Sequence, residues 1–299
     1  TSWERSVPDT LWNAMLGAEV RYLDAGGVRT RYLTAGDGPP LLLLHGTGGH
    51  LEAWAHNIAA LAQHFRVVVP DMVGHGLTDK PTDLEYVVSD YTAHVRLLMD
   101  RLDISSAHLA GISLGAWVAS WLALEAPDRV ERIVNCTGGV FRWKDGESAR
   151  EATERKAMVG ANEGLRDLSR DSVRRRLHSL FHDPTACTEE LVDLRLALYS
   201  RPGAPELLAT LHHMVPSSSP ARARFALTEE HLAALASPVL YLWGEHNPGG
   251  SIASARRAAE LTPEAELVVI DGTGHWPQWE APEAFNDHVI SFLTKGPLA

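Results

Sequence analysis

The sequence predicts an α/β architecture: a mostly parallel central sheet flanked by helices, with a helical insertion near its middle. Three observations carry this. The runs Leu41 to Leu44 and Val67 to Val69 are continuously apolar, as strands covered on both faces are. Such runs alternate with helical periods. Gly111-Ile112-Ser113-Leu114-Gly115 then sits where a strand-like run (His108 to Ala110) meets a helix-like one (Trp117 to Leu124), so a serine falls at a sharp strand-to-helix turn.

In chain order, Glu19 to Leu23 and Val28 to Leu33 alternate in polarity around Ala25-Gly26-Gly27 and read as a hairpin. Leu41 to Leu44, a helical pattern over Leu51 to Ala62, and Val67 to Val69 form a βαβ unit. Helix Ser89 to Leu102, strand Ala107 to Gly111, helix Leu114 to Leu124 and strand Ile133 to Cys136 continue the rhythm. From about Phe141 to Ala226 only helical periods are clear, including Asp171 to Leu180, Glu189 to Tyr199 and Glu206 to Met214. Strand Val239 to Trp243, helix Ile252 to Leu261, strand Leu267 to Ile270 and helix Pro282 to Leu293 restore the alternation. The expected division is a core of residues 1–140 and 227–299 with a helical cap over 141–226.

The bulk numbers exclude several classes. The chain has 299 residues, 45% of them hydrophobic and 22% charged, enough for one large core, and it has no apolar run long enough to span a bilayer. A net charge of -11 with scattered cations argues against nucleic acid, and the one basic triplet, Arg174-Arg175-Arg176, reads as a solvated helix face. Cys136 and Cys187 share no metal or redox spacing and read as free thiols. Thr1 to Arg5 lacks a basic stretch leading into an apolar one, so the expected location is the cytoplasm. The expected partner is a small-molecule substrate, with no membrane, metal or cofactor.

In an open parallel sheet, reactive groups gather where strands end. Four loops qualify. His45-Gly46-Thr47-Gly48-Gly49 can aim the Thr47 N–H at the space above Ser113, where it and the Leu114 N–H would form an oxyanion hole. Neither phosphate-cradling pattern, G-x-x-x-x-G-K-[ST] or G-x-G-x-x-G, is present. Gly272-Thr273-Gly274-His275-Trp276 supplies a late histidine, in the chain order Ser, acid, His that a serine elbow requires, so His275 is the expected general base. The acid should stand in Trp243-Gly244-Glu245-His246-Asn247-Pro248, four residues after the tryptophan, and that position is Asn247. An amide can orient an imidazole but carries no charge to support an imidazolium. Three readings follow: Asn247 orients His275, another carboxylate such as Glu245 serves instead, or the site is weak or non-catalytic. Pro70-Asp71-Met72-Val73-Gly74-His75-Gly76 reads as a tight structural turn, since no H-E-x-x-H or H-x-H spacing occurs. His212-His213 reads as a helix face.

With these residues in view, the chain resembles the α/β-hydrolase superfamily from about Leu41 to Leu293, with the insertion as its cap. The tail Gly274-His275-Trp276-Pro277-Gln278-Trp279-Glu280 is similar to that of the meta-cleavage-product hydrolases, which cleave a C–C bond in ring-opened catechols. The segment Thr188-Glu189-Glu190-Leu191 with Arg195 following is similar to their cap. The resemblance implies that Arg195 meets the substrate carboxylate, that Trp276 flanks it, that Gly48 and Ile112 line the substrate, and that the protein forms a homodimer or larger assembly. Two departures stand out. The family's G-N-S-x-G-G becomes Gly111-Ile112-Ser113-Leu114-Gly115-Ala116, and its G-x-G-P-G stretch is replaced around Gly48-Gly49-His50. Ile112 removes a polar contact and implies a more apolar acyl pocket. The expected activity is therefore cleavage of a 2-hydroxy-6-oxo-dienoate or related diketone-like acid. The alternatives are an ester or lactone hydrolase and, from another class, a ligand-binding protein with a weakened triad.

Overall fold

The computed structural model describes residues 10–145, 165, 167–203 and 219–295. The helix expected over Glu206 to Met214, the pair His212-His213 and most of the serine loop at 217–219 lie outside the described residues. Eight strands form one sheet in the order β1-β2-β4-β3-β5-β6-β9-β10. They are β1 (Glu19–Asp24), β2 (Arg29–Ala35), β3 (Pro40–Leu44), β4 (Arg66–Pro70), β5 (Ala107–Ile112), β6 (Val130–Cys136), β9 (Val239–Gly244) and β10 (Ala265–Ile270). The hairpin β1-β2 is antiparallel and joins β4 antiparallel, while every later pairing is parallel.

The strands read as unbroken apolar runs because both faces are covered. Leu41 and Leu43 of β3, Val67 and Val69 of β4 and Leu240 and Leu242 of β9 join one apolar cluster with helices Ala55–Leu61 and Pro282–Leu293. Their neighbours Leu42, Leu44, Val68 and Tyr241 face the opposite cluster, under helices Val88–Arg101 and Leu114–Glu125. The period of two thus survives in which face each residue serves, though not in polarity.

Two short strands, β7 (Phe141–Arg142) and β8 (Leu227–Thr228), pair in parallel with each other. The sequence showed no strand between 141 and 226, because two residues carry no readable period. Between them lie the helices Arg170–His178 and Glu189–Tyr199, whose Val173, Leu177, Leu191, Val192 and Tyr199 join the first of the two clusters. These helices therefore pack on the same side of the sheet as Ile112 and Trp276.

Parallel register sets where the loops go. Leu44 of β3 pairs with Gly111, Ile112 with Cys136, Cys136 with Leu242 and Gly244 with Ile270. The carboxyl ends of β3, β5, β6, β9 and β10 thus lie level, and the loops that follow them share one edge of the sheet. Among the described residues no helix is long and apolar enough to cross a membrane.

Candidate active site

Ser113 occupies the turn between β5 and the helix Leu114–Glu125 with φ +54° and ψ -112°. A side chain in this region is strained and must be held there. The Ser113 N–H donates to the Cys136 carbonyl (3.1 Å), and the Ser113 carbonyl accepts from the Trp117 N–H (3.1 Å). The flanking glycines allow the close approach: a Cβ on Gly115 would stand 2.1 Å from the Leu44 carbonyl oxygen, and one on Gly111 would stand 2.2 Å from the Gly115 carbonyl carbon. The helix therefore begins directly on the sheet edge, and its first residue, Leu114, carries an N–H with no partner one turn back.

The loop after β3 lies against the serine. A Cβ on Gly46 would meet Ser113 Cβ at 3.2 Å and Oγ at 3.8 Å. Buried His45 pins this loop: its Nδ1–H donates to the Gly46 carbonyl (2.8 Å) and its Nε2 accepts from the Met72 N–H (3.0 Å). Half-buried Thr47 comes next, and the following Gly48 has φ +67°.

His275 and Asn247 meet. The amide orientation follows from its neighbours: Nδ2 donates to the Gly250 carbonyl (3.1 Å) and Oδ1 accepts from the Gly249 N–H (3.0 Å). Oδ1 is then the atom 2.7 Å from His275 Nδ1, so Nδ1 carries the proton and Nε2 keeps its lone pair. The His275 backbone is clamped on both sides, its N–H donating to the Leu180 carbonyl (2.6 Å) and its carbonyl accepting from Thr137 Oγ1 (2.8 Å). Burial, and then the nearby Arg176 guanidinium, push the imidazole down to about 3. It is neutral at pH 7, as a base must be. Glu245 is elsewhere: its carboxylate accepts from the Gly272 N–H (2.9 Å) and lies 3.4 Å from His246.

Arg195 is 2% exposed, and its guanidinium lies 5.1 Å from the centre of the Trp276 ring and 6.0 Å from that of Tyr199. Its Nε and Nη2 are buried without a hydrogen-bond partner, as are Nε2 of His50 and of His75. The Arg195 charge bears on both imidazoles, each pushed down first by burial. His50 Nδ1 is committed to Glu52 (2.9 Å) and His75 Nδ1 to the Val73 carbonyl (3.0 Å), so each Nε2 is an acceptor. Two donors and two acceptors are thus left open, where buried polar groups are ordinarily paired. Ile112 is fully buried and shares an apolar cluster with Trp276.

Every residue of the tail string except Pro277 has a recorded contact. Glu280 accepts from the N–H groups of Gly274 (2.7 Å), His182 (2.7 Å) and Asp183 (3.1 Å), tying the histidine loop to the segment after helix Arg170–His178. Trp279 Nε1 donates to the Ala186 carbonyl (2.9 Å). Gln278 offers its carbonyl to Asn57 Nδ2 (3.0 Å). Trp276 makes edge contacts with Phe181 and Trp279.

Sequence reasoning missed several partners. Tyr199 donates from its hydroxyl to the Gly48 carbonyl (2.8 Å), linking helix Glu189–Tyr199 to the loop beside the serine. His50 carried no motif. The reading of Arg174 to Arg176 as one solvated face is corrected: Arg174 pairs with Asp171 and Glu189 at the surface, but Arg176 is buried, at 6% exposure. A helix turns 100° per residue, so a triplet cannot share one face. Asp71 is consumed structurally, accepting from the N–H groups of Leu51 (2.7 Å) and Leu77 (2.8 Å) and lying 3.0 Å from Arg31. Cys136 and Cys187 are free and buried.

Known proteins share this arrangement. A family model described as the alpha/beta hydrolase fold matches residues 39–282. The chain is 30% identical to a 2-hydroxymuconate semialdehyde hydrolase of Pseudomonas sp. strain CF600, over 93% of this chain and 95% of the other. It is 29% identical to a 2-hydroxy-6-oxo-2,4-heptadienoate hydrolase of Pseudomonas putida, over 94% and 97%. Among solved structures, a meta-cleavage product hydrolase from Pseudomonas fluorescens IP01 superposes with a TM-score of 0.79 at 29% identity, covering 91% of this chain and 97% of that one. The serine elbow, the level loops and these matches agree: the chain belongs to the alpha/beta hydrolase fold family.

Proposed function

We propose that the chain is a serine hydrolase that adds water across a C–C bond of a 2-hydroxy-6-oxo-dienoate, with residues 1–140 and 227–299 as its core and 141–226 as its cap. The observation that carries this is the unpaired set around Arg195. Its Nε and Nη2 suit a carboxylate, and the open Nε2 atoms of His50 and His75 suit a hydroxyl proton. A 2-hydroxy acid carries both. The relatives named as 2-hydroxymuconate semialdehyde and 2-hydroxy-6-oxoheptadienoate hydrolases support the same reading.

With that end held beside Trp276, the ketone carbonyl reaches Ser113. His275 Nε2 takes the proton from the serine hydroxyl, or from a water that the serine orients. The Thr47 and Leu114 N–H groups receive the charge that develops on the carbonyl oxygen. Collapse breaks the C–C bond, and the electron pair passes into the conjugated chain, which takes up a proton to leave as a hydroxydienoate. The acyl fragment leaves as a carboxylic acid. Asn247 fixes the tautomer and orientation of His275, as the amide does in Cys/His/Asn proteases.

The test is product analysis with 2-hydroxy-6-oxohepta-2,4-dienoate. Acetate and 2-hydroxypenta-2,4-dienoate in equal amounts are expected. An intact dienoate alongside rapid hydrolysis of a p-nitrophenyl ester would replace this reading with that of an esterase, which Ile112 at the position before the nucleophile favours.

A further inference from the structure

Helix Arg170–His178 carries four arginines, and three of them have surface roles. Arg170 pairs with Glu189 and Asp193, Arg174 with Asp171 and Glu189, and Arg175 is exposed. Arg176 alone turns inward. It is 6% exposed, and its recorded polar contact is a long one, from Nη1 to Ser179 Oγ at 3.3 Å. No carboxylate pairs with it among the described residues.

Its position follows from the chain that comes next. Ser179 ends this helix, and the Leu180 carbonyl accepts the His275 N–H at 2.6 Å, while Phe181 packs edge-on against Trp276. Arg176 thus stands one helical turn from the histidine loop, and its charge bears on His275, on Arg195 and on Tyr199. Burial, with the Arg195 charge adding, pulls its pKa down to about 10, still well above neutrality. Two buried cations then face one site. An unpaired buried charge is strongly unfavourable, and a cation in that state awaits an anion.

We propose that Arg176 is a second anion-binding group of this site, holding a carboxylate on the acyl side of the substrate, so that the preferred substrate is a dianion with a negative group at each end. The two arginines serve different ends. Arg195 lies over Trp276 and acts on the imidazoles of His45, His50 and His75, whereas Arg176 acts on His275, the base at the carbonyl that is attacked. An acid held at Arg195 with its ketone at Ser113 directs its acyl substituent past His275, towards Arg176. Ile112 alone implied an apolar acyl pocket; Arg176 adds a charge to it. A carboxylate there also places beside His275 the negative charge that Asn247 lacks.

The test compares 2-hydroxy-6-oxonona-2,4-diene-1,9-dioate with 2-hydroxy-6-oxonona-2,4-dienoate, which has the same chain length and no second carboxylate. The readout is the ratio of their kcat/KM values, which general damage to the fold does not move. The native enzyme is expected to favour the dioate by about 10-fold or more, as for a hydrogen-bonded charge pair. Arg176→Met should remove that preference, and Arg176→Lys should retain most of it. A native enzyme that favours the monoacid, or a ratio that Arg176→Met leaves unchanged, overturns the proposal. Should Arg176→Met fail to fold, succinate and butyrate as inhibitors of the native enzyme replace it, with succinate expected to bind more tightly and equal inhibition counting against. The inference rests on the C–C hydrolase reading only for its substrates. If neither dienoate is cleaved, p-nitrophenyl hemisuccinate against p-nitrophenyl butyrate reads the same preference: a hemisuccinate preference keeps Arg176 and discards C–C cleavage. Cleavage of both dienoates at equal rates does the reverse.

Discussion

The two sides of the site are built by different means. On the sheet side, Ser113, Thr47, Leu114, Asn247 and His275 are placed by strand register, and each sits within a few residues of a strand end that β-pairing fixes. On the opposite side, Arg176, Arg195 and Tyr199 come from two helices that reach the sheet through side chains, by Tyr199 to Gly48, Trp279 to Ala186 and Glu280 to the 182–183 backbone. The sheet side has backbone donors and a neutral base. The helical side has two buried cations. The division suggests that the sheet side performs the chemistry and the helical side selects the molecule, and substitutions on the two sides should fail differently.

The largest effect should come from the sheet side. Ser113→Ala and His275→Ala should each lower kcat by about 10³-fold or more on every substrate, because such groups act as a unit. Single-turnover assays on folded variants check this, and retention of more than about a tenth of the rate would remove the assignment. Next, Arg195→Met should lower the ratio of dienoate to neutral-ester kcat/KM by about 10²-fold, the scale of a charge-assisted hydrogen-bond pair lost in a buried site. An equal loss on both substrates would mean that Arg195 holds the fold and not the acid.

Asn247→Asp sharpens the sheet side. A carboxylate would support the imidazolium, raising kcat by about 10-fold or more, but it would also set an anion against the Gly250 carbonyl that Nδ2 now contacts at 3.1 Å. The pH profile separates these effects. With His275 held near 3 by burial and Arg176, the free base persists far below the usual histidine range, so kcat/KM of the native enzyme should stay level as pH falls from 7 to about 5. In Asn247→Asp the acid limb should move up in pH, and an unmoved limb would mean that the new carboxylate does not reach the imidazole. Stability must be followed alongside. His75 and His94 are held down to about 4 by burial, so the unfolded chain takes up protons at about 6.5 while the folded one resists. Melting temperature should therefore fall as pH drops from about 6.5 towards 4.

The smallest effect expected is that of Tyr199→Phe. Loss of the hydroxyl that meets the Gly48 carbonyl should cost about 1 kcal/mol of stability. It should also raise KM several-fold for acid and ester alike, and a selective effect on acids would move Tyr199 into the anion site.

What the sequence made legible follows the same division. The register-fixed elements announce themselves: Leu41 to Leu44 and Val67 to Val69 are apolar because both faces are covered, and the glycines around Ser113 mark where backbone meets backbone. The bond between His275 and Asn247 could be anticipated because chain order and loop position suffice to pair them. The helical side was read less well. Arg176 and Arg174 are the same residue type two positions apart, and only the packing of Val173 and Leu177 decides that one points inward. His50 and His75 became visible as open acceptors only once Glu52 and the Val73 carbonyl were seen to occupy their other nitrogens.

The central claim is that a general acyl-transfer engine is made acid-specific by buried cations. It is tested most directly by the kcat/KM of the native enzyme on 2-hydroxy-6-oxohepta-2,4-dienoate against p-nitrophenyl acetate, which share an acetyl group. A preference for the dienoate of about 10²-fold or more is expected, the scale of the charge-assisted bonds that only the acid can make. An equal or greater rate on the ester would contradict the claim, leaving the fold and the engine without the selectivity.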